Sequence, residues 1–224
     1  MAIKGSEPCG PAGYHTGLVW CEARTATALA HRLADDYAAR EVIPNPHLTD
    51  EWARTVIESP AVIDAVRDRI GPDVAVENTY LMIKWPGTDF AVPPHQDGTN
   101  EGMELDPARS VAAWLAITPA TRINGCLELA PGSHRSGSRP FHRDADHTAD
   151  TGQPLTAPVT GETFRPLPLQ PGDACLIDVR LLHRSGANRS DGTRIGLNVR
   201  YIAPHAFTRG GPERRPHVLT GDRW

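Results

Sequence analysis

The chain has 224 residues, a formal net charge of −4, 39% hydrophobic and 22% charged residues, which predicts one globular domain rather than a disordered or strongly basic chain. No Lys/Arg run exceeds two residues and no apolar run approaches the ~20 residues of a membrane span, so neither nucleic acid nor membrane is an expected partner. Met1 to Pro8 contain no signal-peptide core, and Cys9, Cys21, Cys126 and Cys175 form no CxxC pair, so a cytoplasmic protein with reduced thiols is expected.

Residues 1–22 show no clear period and read as an irregular leader. A helix is predicted over 23–41, where Leu29, Leu33 and Tyr37 recur every four residues, until Pro44 and Pro46. Thr49, as N-cap, opens a second helix carrying Trp52, Val56 and Ile57. Ser59-Pro60 restarts a helix through Val62, Ile63, Val66 and Ile70, and Gly71-Pro72 stops it. The helical part is thus about 23–70. From residue 73 the pattern turns to strands, predicted at 74–85, 110–118, 125–130, 173–180 and 194–203. Helices first and strands afterwards predict an α+β, mainly β fold, with helices backing one face of a sandwich or barrel and a single domain over 1–224. Residues 133–163 are polar and poor in large apolar side chains, and read as a lid.

The last strand sorts its residues by face. Arg194, Gly196, Asn198 and Arg200 share one side, and Ile195, Leu197, Val199 and Tyr201 the other. The apolar set can pack on the helices. The polar set must face water or a polar cavity, where two arginines need anionic partners.

His95-Gln96-Asp97 is the stretch that points to chemistry. On extended chain, His95 and Asp97 can grip one metal ion from one side. His183, 86 residues after Asp97 (183 − 97), can supply a third ligand. Two imidazoles and a carboxylate on one face suit non-haem Fe(II), whose open positions take an organic co-ligand and O2. Arg194, 11 residues after His183 (194 − 183), could hold a dicarboxylate. Together these residues predict an Fe(II) and 2-oxoglutarate dependent oxygenase acting on a small molecule. A second H-x-D, His142-Arg143-Asp144, lies in the polar loop without a flanking strand. His142, Asp144, Asp146 and His147 read either as solvated loop or as substrate contacts. The same loop residues suggest a polar or charged substrate. Two other readings share the ligands: a non-catalytic metal-binding jelly roll serving as a binding or sensor protein, and a zinc hydrolase. The first has no use for a dicarboxylate site, and the second lacks an obvious paired general base.

The chain resembles the phytanoyl-CoA dioxygenase family of Fe(II)/2-oxoglutarate oxygenases. The likeness rests on Pro94-His95-Gln96-Asp97-Gly98, on Asn124-Gly125-Cys126-Leu127-Glu128-Leu129-Ala130-Pro131-Gly132-Ser133-His134, on Pro171-Gly172-Asp173, on His183-Arg184-Ser185 and on Arg194. It implies a double-stranded β-helix (jelly-roll) core over about 74–203. By this resemblance His95, Asp97 and His183 match the iron ligands, Arg194 the partner of the distal 2-oxoglutarate carboxylate, and Ser185 the hydroxyl beside it. A planar guanidinium fork explains Arg rather than Lys. Trp114 matches a cosubstrate-pocket position, with core packing as its other reading. Gln96 reads as a cosubstrate-orienting residue or as a solvent-exposed one. Asn198 and Arg200 are candidate cosubstrate or substrate contacts. The Asn124–His134 stretch reads as a structural turn. Halogenating relatives replace the carboxylate ligand by a small residue, so Asp97 implies hydroxylation, with desaturation, cyclisation or epoxidation as same-site alternatives.

Overall fold

The computed structural model describes residues 9–143, 155–212 and 214–224. Strand β1 (Tyr14–Val19) comes first, followed by α1 (Ala23–Asp36), β2 (Val42–Pro44), a 3-10 turn (Pro46–Leu48), α2 (Glu51–Ile57) and α3 (Pro60–Ile70). Then come β3 (Val74–Lys84), β4 (Val92–His95), β5 (Met103–Leu105), β6 (Ser110–Ala116), β7 (Leu127–Leu129), β8 (His142–Arg143) and β9 (Leu155–Thr156). The chain continues with β10 (Arg165–Leu167), β11 (Asp173–Ile177), β12 (His183–Ser185), β13 (Arg194–Ile202), β14 (Phe207–Gly210) and β15 (His217–Thr220). Among the described residues these form a seven-stranded sheet ordered β1-β11-β6-β13-β3-β15, with β2 also on β3, and a four-stranded sheet ordered β10-β7-β12-β4. This is the jelly roll with N-terminal helices expected from the sequence.

Strand β6 shows why the layers assemble. Its segment Ser110–Ala116 is buried throughout. Val111, Ala113 and Leu115 point to the helices, where they join Leu33 of α1, Ile57 of α2 and Val66 of α3. Ala112, Trp114 and Ala116 point to the smaller sheet and meet Leu127 and Leu129. A strand with period-two side chains and apolar residues at every position from Val111 to Ala116 must be covered on both faces. Each fully buried Leu, Ile or Val contributes about 1.5–3 kcal/mol, so two covered faces stabilise the layering strongly. Strand β13 follows the predicted split: Ile195, Leu197, Val199 and Tyr201 lie in the helix-side core. The Tyr201 hydroxyl donates to the Ile57 carbonyl at 2.8 Å, which ties β13 to α2.

Four local departures have physical reasons. The supposed irregular leader contains β1, which pairs with β11 from Tyr14↔Ile177 to Val19↔Asp173. It is an edge strand with a bulge between His15 and Leu18, so no alternation marks it. Helix α1 stops at Asp36, five residues early, and the chain turns through Ala39 at φ +61. Asp50, not Thr49, caps α2, and Thr49 instead donates to the Asp50 carboxylate at 2.6 Å. Strand β11 ends at Ile177, because Asp178 starts a turn whose carboxylate accepts the Arg180 N–H at 2.9 Å.

Candidate active site

The two histidines meet because β4 and β12 pair at the open side of the smaller sheet, with His183 opposite His95. The prolines of β4 fit there, since a sheet edge does not need their missing N–H groups. The imidazole centroids are 4.2 Å apart. Asp97 closes the triangle, its two carboxylate oxygens 3.8 Å from His95 Nε2 and 3.8 Å from His183 Nε2. One donor atom from each residue lies within 4.8 Å of the others. Each Nδ1 sits 2.9 Å from the carbonyl two residues earlier, Pro93 for His95 and Leu181 for His183. A carbonyl only accepts, so each Nδ1 of the neutral ring donates and each Nε2 keeps its lone pair toward Asp97. Burial, followed by the neighbouring His183, pushes His95 down to about 4, so it is neutral near pH 7. Burial opposes charge on Asp97, but His183, His95, Arg200 and the Asn198 amide outweigh it and hold the carboxyl below its ordinary value. Two imidazoles and one carboxylate converging on one point are the donor set of a divalent metal.

A cavity of about 480 Å³ opens from this triangle. Arg194 lies at one end and is 1% exposed. Its guanidinium carbon stacks 4.6 Å over the Trp114 ring. Gly196 makes that possible: a Cβ there would lie 2.2 Å from a ring carbon of Trp114. Arg194 Nε and Nη2 are buried with no hydrogen-bond partner. Burial pulls its pKa down to about 10, so the group is still a cation at neutral pH. Ser185 is buried and lines the same cavity. Trp114 packs in the inter-sheet core and also lines the cavity.

The other candidates differ in where the fold places them. Gln96 is buried, and its amide donates to the carbonyls of Gly137 and Arg180 while accepting the Arg139 N–H at 2.7 Å. Solvent exposure is therefore ruled out, and this amide ties two loops together behind the metal triangle. Asn198 donates to the Asp97 carboxylate at 3.2 Å. Arg200 donates to the Asp97 carbonyl at 2.6 Å and to Asn78 at 2.7 Å, and pairs with Glu77 at 3.0 Å. Arg200 also lines the cavity, with its Nε and Nη1 held by these protein partners. His142 is exposed on β8, paired with Thr156, and does not line the cavity. Arg143 beside it is exposed and pairs with Glu101 at 2.8 Å. Asp144, Asp146 and His147 lie outside the described residues.

Of the segment 133–163 expected to form a lid, residues 144–154 lie outside the described residues. Ser133 and His134 are buried, and Ser133 Oγ accepts the Leu182 N–H at 2.9 Å, so the segment's start belongs to the core. On its far side, Ala157 N–H donates to Pro94 at 2.7 Å, and Arg139 pairs with Glu162. The Asn124 amide bridges Thr121 and Pro119, in line with a structural turn.

Sequence reasoning overlooked Lys84. It is fully buried opposite Arg194 on β3, and its ammonium donates to Phe90 at 3.0 Å, Ser185 at 3.4 Å and Gly186 at 2.8 Å. Burial first and the Arg194 charge second hold its pKa well below the usual lysine value. A lysine directly after the apolar run Leu81-Met82-Ile83 of the predicted strand was the available signal. Glu77 and Asn78 carried none, because a bulge at Glu77 breaks the alternation of β3 between Val76 and Asn78.

Comparison with known proteins bears on this geometry. The family model of phytanoyl-CoA dioxygenase (PhyH) matches residues 20–196. Phytanoyl-CoA dioxygenase 1 of Oryza sativa subsp. japonica is 36% identical over 130 residues, 57% of this chain and 44% of the relative. Phytanoyl-CoA dioxygenase domain-containing protein 1 of Danio rerio is 34% identical over 157 residues, 66% of this chain and 52% of the relative. The chain thus spans about half the length of these curated relatives. Among solved structures, the apo form of the non-heme monooxygenase ThoJ superposes with a TM-score of 0.75 at 25% identity, covering 95% of this chain and 82% of that one. The epimerase SnoN, in complex with Fe3+, alpha ketoglutarate and nogalamycin RO, shares the fold at a TM-score of 0.69 and 20% identity, covering 95% of this chain and 93% of that one.

Proposed function

This chain belongs to the phytanoyl-CoA dioxygenase (PhyH) family, and from that premise we propose that it is a non-haem Fe(II)/2-oxoglutarate dependent dioxygenase that hydroxylates an unactivated C–H bond of a small molecule. One observation carries the reading. Arg194 is a buried cation whose Nε and Nη2 lack partners, and it faces the same cavity as the His95, Asp97 and His183 triangle. An unpaired buried charge is costly unless a ligand supplies its counter-ion. A metal site alone has no use for it, which disfavours a plain metal-binding or sensor protein.

The residues fit both absent groups. His95, Asp97 and His183 would hold Fe(II), and Arg194 with Ser185 would hold the distal carboxylate of 2-oxoglutarate. Bound there, the pair supplies the oxidising power for C–H oxidation by O2, with succinate and CO2 as co-products. The chain's own contribution is position. Pro93 and Leu181 carbonyls orient the imidazoles. Asn198 and Arg200 fix Asp97 from its side chain and its backbone. Trp114 covers one face of the Arg194 guanidinium and keeps water from it. Gln96 acts here as a brace of the surrounding loops rather than as a cosubstrate contact. Asp97 occupies a ligand position that halide transfer would need vacant, so oxygen insertion is the expected outcome, with desaturation or ring closure as its same-site variant.

The test is anaerobic reconstitution with Fe(II) and 2-oxoglutarate, read by the visible charge-transfer band of their chelate. His95→Ala should abolish the band, and Arg194→Ala should demand far more 2-oxoglutarate to develop it. An unchanged 2-oxoglutarate requirement in Arg194→Ala would sink the assignment. A chlorinated main product in excess chloride would overturn the argument from Asp97.

A further inference from the structure

We infer that the substrate taken by this cavity is an uncharged, largely apolar small molecule, an inference that rests on the oxygenase reading above and narrows it. The reasoning starts from cross-strand rows. In antiparallel pairs, residues directly opposite share a face. Asn198 of β13 faces Tyr80 of β3, which faces Pro44 of β2. Gly196 faces Met82, which faces Val42. These rows run outward from the metal side of the cavity, and past Asn198 and Gly196 they become apolar. Phe90 and Leu155 line the same cavity from separate segments.

Each charged side chain among the described lining residues already has a protein partner or an assigned ligand. Arg200 is held by Glu77, Asn78 and the Asp97 carbonyl. Arg184 pairs with Glu128 at 2.6 Å and stacks 4.2 Å over the Phe164 ring. Arg194 is taken by the cosubstrate, and Asp97 and the two histidines by the metal. Among the described residues lining the cavity, no cation is left for a substrate carboxylate and no carboxylate for a substrate cation. A charged substrate group would find no uncommitted counter-charge among these residues, and burying it unpaired is costly. The cavity, at about 480 Å³, is of small-molecule size. The sequence-based expectation of a polar or charged substrate drew on His142, Arg143, Asp144 and His147, and of these His142 and Arg143 lie outside the cavity lining.

The test uses three fluorescent probes with one skeleton: 2-naphthylmethanol (neutral), 2-naphthoate (anionic) and 2-naphthylmethylamine (cationic at pH 7.5). Each is titrated under argon into protein holding Mn(II) and saturating 2-oxoglutarate, so that Arg194 is occupied. The trio is repeated in Arg194→Ala, where the guanidinium cannot capture naphthoate. The alcohol is expected to bind at least about tenfold more tightly than either charged probe. Leu155→Arg, at a cavity-lining position, is expected to raise naphthoate affinity at least about tenfold relative to the alcohol. With 2-oxoglutarate bound, equal or tighter binding of a charged probe to the unmodified protein overturns the proposal, as does binding of none of the three. The 2-oxoglutarate titration run alongside reports on the oxygenase reading independently. Failure there leaves the order of the trio in Arg194→Ala to decide this inference.

Discussion

Arg194 concentrates the residue-scale chemistry. It is fully buried, stacked on Trp114 and lacks partners at Nε and Nη2. Two charge-assisted hydrogen bonds at about 1.5–3 kcal/mol each make a loss of roughly 100-fold or more in 2-oxoglutarate affinity the expectation for Arg194→Ala. Arg194→Lys should recover only part of it, because an ammonium cannot present two parallel donors. Trp114 fluorescence, reporting from 4.6 Å, can follow both titrations. Gly196 is the silent partner in this arrangement. Gly196→Ala would drive a Cβ into the Trp114 ring. Overpacking of this kind costs about 1–3 kcal/mol, to be read by urea denaturation. The displaced ring should also blunt the fluorescence response to 2-oxoglutarate, and an unchanged response would show that the stacking is incidental.

At the scale of elements, the bulge at Glu77 does what a regular strand could not. It brings Glu77 and Asn78 together onto Arg200, which in turn holds the Asp97 carbonyl. Partners behind metal ligands are worth roughly 10–100-fold in metal affinity. Arg200→Gln is therefore expected to weaken Mn(II) binding by that factor in competition with a fluorescent chelator. Wild-type metal affinity in a variant of normal thermal stability would reduce Arg200 to a structural residue. The 3-10 turn after β2 carries a different kind of control. His47 is buried there and bonded to the Thr79 hydroxyl at 2.8 Å. Burial, then the nearby His217, Arg214 and Arg54, pull its pKa from the ordinary value near 6.5 to about 4. Between these values the unfolded chain binds the proton and the folded one does not, so stability is complete above about pH 6.5 and falls toward pH 4. The contribution is at most about 3 kcal/mol, at 1.36 kcal/mol per pH unit. Urea melts at stepped pH should show this slope, and His47→Asn should flatten it. An equal slope in the variant would place the acid sensitivity elsewhere.

On the scale of the whole molecule, the site joins two sheets. His95 and His183 belong to the four-stranded sheet and Arg194 to the seven-stranded one. A metal and 2-oxoglutarate bound together would therefore link both layers of the jelly roll. A ligand at 100 times its Kd stabilises by about 2.7 kcal/mol. For a domain of this size that corresponds to a rise in Tm of roughly 5–10 °C. Mn(II) with 2-oxoglutarate should produce it, a chelator should reverse it, and 2-oxoglutarate should add little in Arg194→Ala. A Tm indifferent to metal would count against a site spanning the two sheets.

What the sequence determined by itself is whatever depends on neighbours along the chain. Alternation in β13 separates the cavity face from the helix face without further knowledge. The apolar spacing in α3 predicts a helix over Pro60–Ile70, and His95-Gln96-Asp97 presents two metal donors on one side of an extended segment. Spacing and the resemblance to the family's motifs then point to His183 and Arg194. Tertiary structure decided everything that rests on partners far apart in the chain. Arg200 and Asn78 are 122 residues apart, and only the fold shows that this candidate contact also holds Asn78 and the Asp97 carbonyl. Lys84 needs carbonyls 101 and 102 residues away before its burial makes sense. His142 carries the same H-x-D pattern as His95, yet β8 places it at the surface. A charged residue's role follows from what neutralises it, and that partner is chosen by the fold in three dimensions.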